Sequence, residues 1–524
     1  MIRINQIALP PEHSVAQLAY EAARALKVSN SKIRSVKIVR RSVDARKKPD
    51  IKIVYTIDVA VDGNENKILK QSGCKRAAIA PVSYYKLPKA SVTDVHPVVV
   101  GFGPAGMFAA LVLALAGLRP IVLERGEDAA SRHEKVEHFF ATGQLDAKSN
   151  VQFGEGGAGT FSDGKLNTGV NNPRIGWILE QMVAAGAGED ILFDAKPHVG
   201  TDVLLTVVQN IRHRIISLGG EVRFHSQVTD LITENGHITG LQINGTETLA
   251  CEKVILAIGH SARDTFEQLY AMGIPMEAKP FAMGVRIEHL QQNIDKAQYG
   301  KYDPVLPPAD YKLVKHLADE TVYTFCMCPG GYVVAAASEE GRIVTNGMSY
   351  ADRAGRNANA ALLVTLNPKD FPGDGPLAGM YWQREIEEAA FRAGGSNYHA
   401  PAQLVGDLLA GRPSAGPGSV QPTYRPGVTW CDLHDVLPVK ITGALKEVLP
   451  QLEGNLKGYA DPDAVLTAPE TRSSSPVRIV RDESKQSTGL LGLYPAGEGA
   501  GYAGGIMSAA IDGMMCAEAL IASL

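Results

Sequence analysis

Three glycines that follow a short apolar run have the spacing of a dinucleotide-binding loop. Gly101, Gly103 and Gly106 form a G-x-G-x-x-G pattern directly after Val98 to Val100. We expect Gly101 to make a tight turn, Gly103 to let the backbone approach a pyrophosphate, and Gly106 to let strand and helix pack closely. The predicted helix, Ala105 to Ala116, directs its amide end at the phosphates.

A second strand, Pro120 to Leu123, is predicted next and ends in Glu124. An acidic side chain at this distance from the glycine loop binds ribose hydroxyls in dinucleotide folds.

The run from Val98 to Leu118 is apolar enough to imitate a membrane span. However, its glycines and Pro104 fall where a phosphate loop needs them, and Arg119 follows at once. We therefore interpret it as a buried strand and helix and expect no membrane association.

The composition is that of an ordinary globular protein. The chain has 524 residues, of which 45% are hydrophobic and 21% charged, and its formal net charge is −4. Since this length exceeds one hydrophobic core, we expect two or three domains. The six cysteines form neither a disulfide framework nor a zinc spacing, and the N-terminus lacks a signal-peptide core, so a cytoplasmic location is predicted. The sequence has neither a metal-binding histidine motif nor a nucleophile elbow.

Residues 1–92 are predicted to form a small βαββ module. Ile2 to Leu9 is interpreted as a strand, Val15 to Leu26 as an amphipathic helix, and Ile33 to Val43 with Ile51 to Val61 as two alternating strands. A linker around Pro81 to His96 follows.

The hairpin of this module is basic although the whole chain is acidic. Its cations are Lys32, Arg34, Lys37, Arg40, Arg41, Arg46, Lys47, Lys48 and Lys52. Such a patch is suited to RNA, a nucleotide phosphate or an acidic protein. The alternative is a solvated edge hairpin whose lysines discourage association between sheets.

Residues 96–265 are predicted to continue the dinucleotide unit. Asp202 to Ser217 has helical periodicity, Glu221 to Ile232 and Ile238 to Ile243 are interpreted as strands joined by an Asn235-Gly236 turn, and Val254 to Ile258 is a short buried strand. We expect these strands, together with the helix packed on them, to return to the sheet of the dinucleotide unit.

Residues 266–486 lack this order and are predicted to be an inserted domain. They mix strands such as Tyr332 to Ala336 with helices such as Arg384 to Ala393, and their loops are rich in proline and glycine.

In residues 487–524, a strand, Gly489 to Pro495, leads through a second glycine-rich loop into a helix, Ile506 to Ser523. Because too little chain remains for a complete βαβ unit, we expect this loop to close on the ligand of the first.

Three segments stand out in chain order: Gly101 to Gly106 with Glu124, Val254 to Gly259, and Ala496 to Gly505. Their order and spacing resemble those of the FAD-binding domain of the glutathione-reductase-like and p-hydroxybenzoate-hydroxylase-like flavoproteins. The resemblance implies FAD as cofactor, with Glu124 on the adenosine ribose and Glu498 on the ribityl or pyrophosphate region, where Asp is commoner. The implied fold class is α/β (α+β overall), with a Rossmann-like FAD-binding domain formed by two chain segments, an inserted mixed-sheet substrate domain and the βαββ module.

Phe153 to Lys165, Met327 to Tyr332 and Thr345 to Ser349 are similar to segments of a bacterial family of FAD-dependent dehydrogenases or oxidoreductases whose substrate is unknown. In related flavoproteins the loop equivalent to Gly154 to Gly164 lies against the pyrophosphate and isoalloxazine. We hypothesise that its amides and Lys165, the predicted catalytic residue, face flavin N5 or the N1 and C2 oxygen side, where positive charge stabilises the reduced anion.

The residues that we predict to bind the cofactor are Gly101, Gly103, Pro104, Ala105, Gly106, Glu124, Arg125, Gly156, Gly157, Gly159, Thr160, Ser162, Val228, Ile258, Gly259, Gly497, Glu498, Gly504, Gly505 and Ile506. Weaker candidates are Cys326 and Cys328, which share a face if they lie on a regular strand, three histidines (His198, His260 and His399), and Arg353 with Arg356, which either clamp an anion or lie solvated on a helix.

The sequence therefore predicts an FAD-dependent oxidoreductase that transfers hydride between flavin N5 and a small molecule, with NADH or NADPH as a transient reductant. Three alternatives stay open: an RNA-associated flavoprotein that uses the basic hairpin, a flavin-dependent monooxygenase, and a flavin-stabilised scaffold without turnover.

Overall fold

A four-stranded antiparallel sheet with two helices begins the chain. In the computed structural model, which describes residues 1–81, 84–91 and 94–524, its elements are β1 (Ile2–Leu9), α1 (Ala16–Leu26), β2 (Ile33–Asp44), β3 (Lys52–Val61), α2 (Glu65–Ser72) and β4 (Ala77–Ile79). The strand order is β2-β3-β1-β4. The other four positions of the chain belong to the predicted linker and lie outside the described residues.

The period-two pattern of this module explains its one-sided core. Ile2 and Ile4 of β1 and Ile57 and Val59 of β3 are fully buried, whereas the alternate residues face outward. The predicted βαββ unit is therefore correct but incomplete, because α2 and β4 extend it to a βαββαβ unit. The side chain of Asn64 caps α2 by accepting a hydrogen bond from the Lys67 amide.

The basic hairpin docks on later parts of the chain. The Arg41 guanidinium donates to both carboxylate oxygens of Asp194 at 2.6 and 2.8 Å, and the Lys48 ammonium donates to the Ala297 carbonyl at 2.6 Å. Other cations pair within the module, as Arg46 does with Asp44. The predicted contact with nucleic acid stays a prediction, and exposed residues such as Lys37 would have to supply it.

The second part of the chain alternates strands and helices. Its elements are β5 (Val98–Val100), α3 (Pro104–Leu115), β6 (Ile121–Leu123), α4 (Ala129–Thr142), α5 (Arg174–Ala184), α6 (Thr201–Ser217), β7 (Glu221–Arg223), β8 (Val228–Glu234), β9 (His237–Ile243), β10 (Glu247–Ala250) and β11 (Val254–Leu256). Four of these strands and the C-terminal strand, Leu493–Pro495, form a parallel sheet in the order Leu493–Pro495, β11, β5, β6, β7.

The prediction of one strand from Glu221 to Ile232 is wrong. The chain turns at His225, which has a left-handed φ of 52°, and Asn244 fixes the turn by bonding to the His225 carbonyl at 2.8 Å. Consequently β7 belongs to the parallel sheet, whereas β8, β9 and β10 form a separate antiparallel sheet. The predicted turn at Asn235 and Gly236 is present, with positive φ at both residues.

The rest of the chain contains a large mixed sheet, two separate strand pairs and the last strand of the parallel sheet. Its elements are α7 (Arg263–Ala271), β12 (Met276–Ala278), β13 (Phe281–Leu290), α8 (Gln291–Tyr299), β14 (Val314–His316), β15 (Thr321–Cys328), β16 (Tyr332–Ala335), β17 (Thr345–Met348), β18 (Asn357–Leu366), α9 (Ala378–Ala393), β19 (Ala400–Leu404), α10 (Val405–Ala410), β20 (Val428–Trp430), α11 (Val439–Glu453), β21 (Val465–Glu470), β22 (Val477–Ile479), β23 (Leu493–Pro495) and α12 (Ile506–Ala522). Seven strands form a sheet in the order β14-β15-β18-β13-β21-β19-β20, and β16-β17 and β12-β22 are separate pairs.

Helix α3 is buried on all sides, which explains the apolar run that follows the glycine loop. It packs against α12 so closely that a Cβ on Gly513 would lie 2.0 Å from the Ala105 carbonyl oxygen. Among the helices of residues 1–81, 84–91 and 94–524, none combines the length and apolarity needed to span a membrane. The fold class is α/β with parallel and mixed sheets, as predicted. The domain boundaries stay a prediction, and residue 266 lies inside α7.

Candidate functional site

A cleft opens at the carboxyl ends of the parallel strands. Gly101 follows β5, Glu124 follows β6, Ala257 follows β11 and Ala496 follows β23, and all four line the cleft. This edge of a parallel sheet is the usual ligand site of doubly wound folds, because the loops and helix N-termini converge there.

Most of the predicted cofactor residues line this cleft together. They are Gly101, Gly103, Pro104, Ala105, Glu124, Arg125, Gly157, Gly159, Ser162, Val228, Ile258, Gly259, Glu498, Gly504, Gly505 and Ile506, with Lys165 beside them. Four others lie behind the wall: Gly106, Gly156, Thr160 and Gly497. These four support the loops, since Gly156 donates to the Phe102 carbonyl at 2.9 Å and Gly497 to Asp512 at 2.7 Å.

The first glycine loop is held by contacts that a side chain would prevent. Gly101 has a φ of 95°, and a Cβ there would lie 2.3 Å from the Ala257 carbonyl oxygen. A Cβ on Gly106 would lie 1.9 Å from the Gly101 carbonyl oxygen. Both positions therefore require glycine for the close packing of β5, α3 and β11.

Other glycines face open space in the cleft and make it fit a dinucleotide. A Cβ on Gly259, Gly504 or Gly505 would meet no atom within 4 Å, so these residues leave room for a ligand. The N-termini of α3 and α12 both begin at the cleft, at Pro104 and Ile506. Their free amides and helix dipoles suit a diphosphate, which agrees with the donor set that FAD needs.

Glu124 connects the first glycine loop, Gly101 to Gly106, to the loop Gly154 to Gly164. Its carboxylate accepts hydrogen bonds from the amides of Phe102 at 2.8 Å, Gly126 at 3.0 Å and Gly154 at 2.9 Å. A carboxylate offers about four acceptor positions, so three of them already serve the protein. The predicted ribose contact stays a prediction, and the structure adds a loop-positioning role that the sequence did not indicate.

Arg125 forms a flat, rigid wall at the same end of the cleft. Its guanidinium lies 4.3 Å from the centre of the Phe153 ring and donates to both carboxylate oxygens of Asp264 at 3.1 Å. Stacking and a bidentate ion pair together hold an arginine in one conformation.

Glu498 and His260 both line the cleft and face each other, with 3.9 Å between Oε1 and Nε2. Burial raises the pKa of Glu498 to about 7, although Lys279 opposes the shift. Burial lowers the pKa of His260 to about 3, helped by the positive charges of Arg472 and Arg263. At neutral pH Glu498 is thus the member of the pair that changes its protonation state.

Ser261 connects His260 to the residues behind it. Arg472 donates to Ser261 Oγ at 3.1 Å, and Ser261 Oγ lies 3.2 Å from Gln152 Oε1 and 2.9 Å from His260 Nδ1. His260 is therefore held in place through Nδ1, and its Nε2 faces Glu498.

A buried ion network lies behind His260. Glu387 on α9 is fully buried and binds the guanidiniums of Arg263 and Arg472 through four hydrogen bonds of 2.7 to 3.0 Å. Burial alone would raise the pKa of Glu387, but the two arginines outweigh it and hold the pKa well below its usual range. Sequence reasoning missed this network, since its members are up to 209 positions apart and follow no local pattern.

Lys165 lies at the far end of the cleft. Its ammonium donates to the Met327 carbonyl and lies 3.8 Å from the Asp163 carboxylate, which Arg353 binds at 2.7 Å. Arg353 is therefore occupied by an ion pair and lies in a turn with φ of 51°, not on a helix. Both nitrogens of His198 face backbone carbonyls, of Asp163 and Ala351.

The predicted shared face of Cys326 and Cys328 is wrong. A β-bulge between Phe325 and Cys328 breaks the alternation, and Cys326 has a φ of 41°. The exposed surface of Cys326 lines the cleft, whereas Cys328 is buried. Burial raises the pKa of Cys328 to about 11, so this thiol is protonated at neutral pH.

The far end of the cleft is built by residues that the predicted cofactor set does not contain. They come from the large mixed sheet and its neighbouring strands: Phe325, Cys326, Asn346, Gly347, Glu470, Arg472 and Ser473. Several of them fall in segments that the sequence analysis singled out, but spacing alone did not indicate that they meet the glycine loops.

Comparison with known proteins supports the cofactor. Residues 280–473 match the family model described as "FAD-dependent protein, C-terminal domain-like", and residues 1–60 match a domain of unknown function. A protein of Clostridium beijerinckii, described as uncharacterized, is 48% identical over 526 residues, which cover 99% of this chain and 98% of that protein.

Similar solved structures include glycine oxidase from Bacillus cereus, with 11% identity, coverage of 82% of this chain and 95% of that chain, and a TM-score of 0.33. L-proline dehydrogenase from P. horikoshii has 13% identity, coverage of 83% and 95%, and a TM-score of 0.35. CtdE in complex with FAD has 11% identity, coverage of 82% and 84%, and a TM-score of 0.32. At these scores the likenesses carry no argument of their own.

Proposed function

The chain belongs to the same family as its Clostridium beijerinckii relative, and its residues 280–473 match a model of FAD-dependent proteins. From that premise we propose that it transfers hydride between FAD and a small molecule bound at the far end of the cleft. One observation carries the proposal: the glycine-lined cradle continues without interruption into a polar chamber. The chamber contains Lys165, Asn346, Glu470 and Arg472, so it suits a polar reactant beside the cofactor.

The residues of this chain have three tasks in such a reaction. FAD, when bound, supplies a two-electron carrier. The amides at the starts of α3 and α12 hold its diphosphate, and the walls exclude water from the reacting atoms. Lys165 adds a positive charge at the chamber, because Arg353 already neutralises Asp163. That charge favours the reduced, anionic state of a flavin held nearby.

Anaerobic mixing with NADH and with NADPH tests this function. The purified protein is expected to carry FAD, and its visible absorbance should bleach when a hydride donor is added. If neither nicotinamide bleaches the flavin, small metabolites are tested next under the same conditions. In a separate assay in air, consumption of oxygen with insertion of one oxygen atom into the product would favour monooxygenation. A flavin that no donor reduces would refute the proposal.

A further inference from the structure

Arg286 is a fully buried arginine whose every donor is engaged. It lies on β13, bonds to both oxygens of Glu470, and also donates to the Cys326 carbonyl at 2.8 Å, to Asn359 at 3.0 Å and to Asn346 Oδ1 at 3.0 Å. A guanidinium has five N–H groups, and these contacts use all of them. The Glu470 carboxylate outweighs the effect of burial and raises the pKa of Arg286, which keeps it charged.

This arginine fixes which way the Asn346 amide points. Asn346 Oδ1 accepts from Arg286 and, at 2.8 Å, from the Gly347 amide. An arginine cannot accept a hydrogen bond, so the oxygen must be the atom on that side. The two N–H groups of Asn346 are consequently left for the cleft, which this residue lines.

Lys165 lines the same cleft as this amide and is held by the bulged strand β15. The carbonyl of Cys326 binds Arg286, which orients Asn346, and the next carbonyl, of Met327, binds the Lys165 ammonium. Arg286 and Lys165 are thus anchored on adjacent residues of one strand. Lys165 keeps a net charge here because Arg353 takes the Asp163 carboxylate.

On the basis of the proposed function, we propose that the reactant is a small organic acid whose carboxylate is bound by Asn346 Nδ2 and Lys165 Nζ. A carboxylate offers two oxygens, which match one neutral and one charged donor. A phosphate is less suited, since dianions are best bound by arginine forks, and the arginines at this end (Arg286, Arg353 and Arg472) are each paired with a carboxylate.

The proposal is tested by titrating the FAD-loaded protein with three acids, acetate, lactate and benzoate, and with their uncharged amides, acetamide, lactamide and benzamide. The binding of each acid is compared with that of its amide. The expected result is a saturable change in the flavin spectrum with at least one acid and a much weaker change with its amide. Asn346→Ala should weaken the binding of that acid about tenfold or more, and Asn346→Asp should abolish its binding through charge repulsion. The matched control is Asn171→Ala, on an exposed loop.

FAD content and the unfolding midpoint of each variant show whether it has folded. The proposal is overturned if the acids bind no better than their amides, or if a folded Asn346→Ala protein binds the acids as the wild type does. Either result leaves the proposed function standing when a donor still reduces the flavin. A protein that no donor reduces, yet that prefers acids to amides, would refute hydride transfer and retain the carboxylate site.

Discussion

Replacing Glu498 with Gln should remove a pH-dependent loss of stability. Burial raises the pKa of Glu498 from 4.5 to about 7 in the folded protein. Between these values the folded chain keeps a proton that the unfolded chain releases, so the free energy of unfolding falls as the pH rises. A displacement of this size corresponds to about 3 kcal/mol of stability, which is fully present below the unfolded pKa and fully lost above the folded pKa.

Urea unfolding at matched FAD content measures this effect. The difference in unfolding free energy between Glu498→Gln and the wild type should grow in favour of the variant as the pH rises from 4.5 to 7. Glu483→Gln, an exposed carboxylate in a nearby loop, is the control and should show a much smaller trend. A difference that stays constant across this pH range would show that Glu498 ionises normally in the folded protein.

Two further substitutions test the cleft and its support. Gly505→Val should abolish FAD binding, because its side chain would fill space in the cleft. The protein should still fold, since Gly505 has an extended φ of 163° and a Cβ there would meet no protein atom within 4 Å. FAD content and thermal unfolding would be compared with those of Gly416→Val, an equally unobstructed position outside the cleft. Glu387→Gln should destabilise the protein by about 3 kcal/mol, since it leaves the two buried guanidiniums of Arg263 and Arg472 with only the partly exposed Glu339 as a shared counter-ion, and an unchanged urea midpoint would contradict this.

The cofactor half of the cleft could be predicted because its signals are local. Val98–Val100 is an apolar run next to glycines, and the glycine requirement at Gly106 comes from the Gly101 carbonyl, five positions before it. The contact between Gly101 and Ala257 is distant in sequence, but the glycine spacing alone is enough to indicate the loop. The alternating strands of the N-terminal module are visible for the same reason. In contrast, β4 has three residues, which is too few to show a period.

The other half of the cleft could not be predicted because its geometry depends on distant pairs. The orientation of Asn346 is set by Arg286, and the position of Lys165 by a carbonyl of β15. Neither partner is indicated by periodicity or by a motif. The bulge in β15 shows the same limit, since an alternating pattern predicts a regular strand and not the residue at which it is interrupted.

The buried ion network explains how two separately predicted halves keep one cleft between them. Arg263 begins the helix that follows β11 of the parallel sheet, whereas Arg472 follows β21 of the mixed sheet, and Glu387 of α9 binds both. A buried charge that loses its partner is costly, so movement of one wall away from the other would expose or strand these ions. Because Arg472 also holds Ser261, and Ser261 contacts His260 Nδ1, the same network that joins the two walls of the cleft positions the His260 ring that faces Glu498.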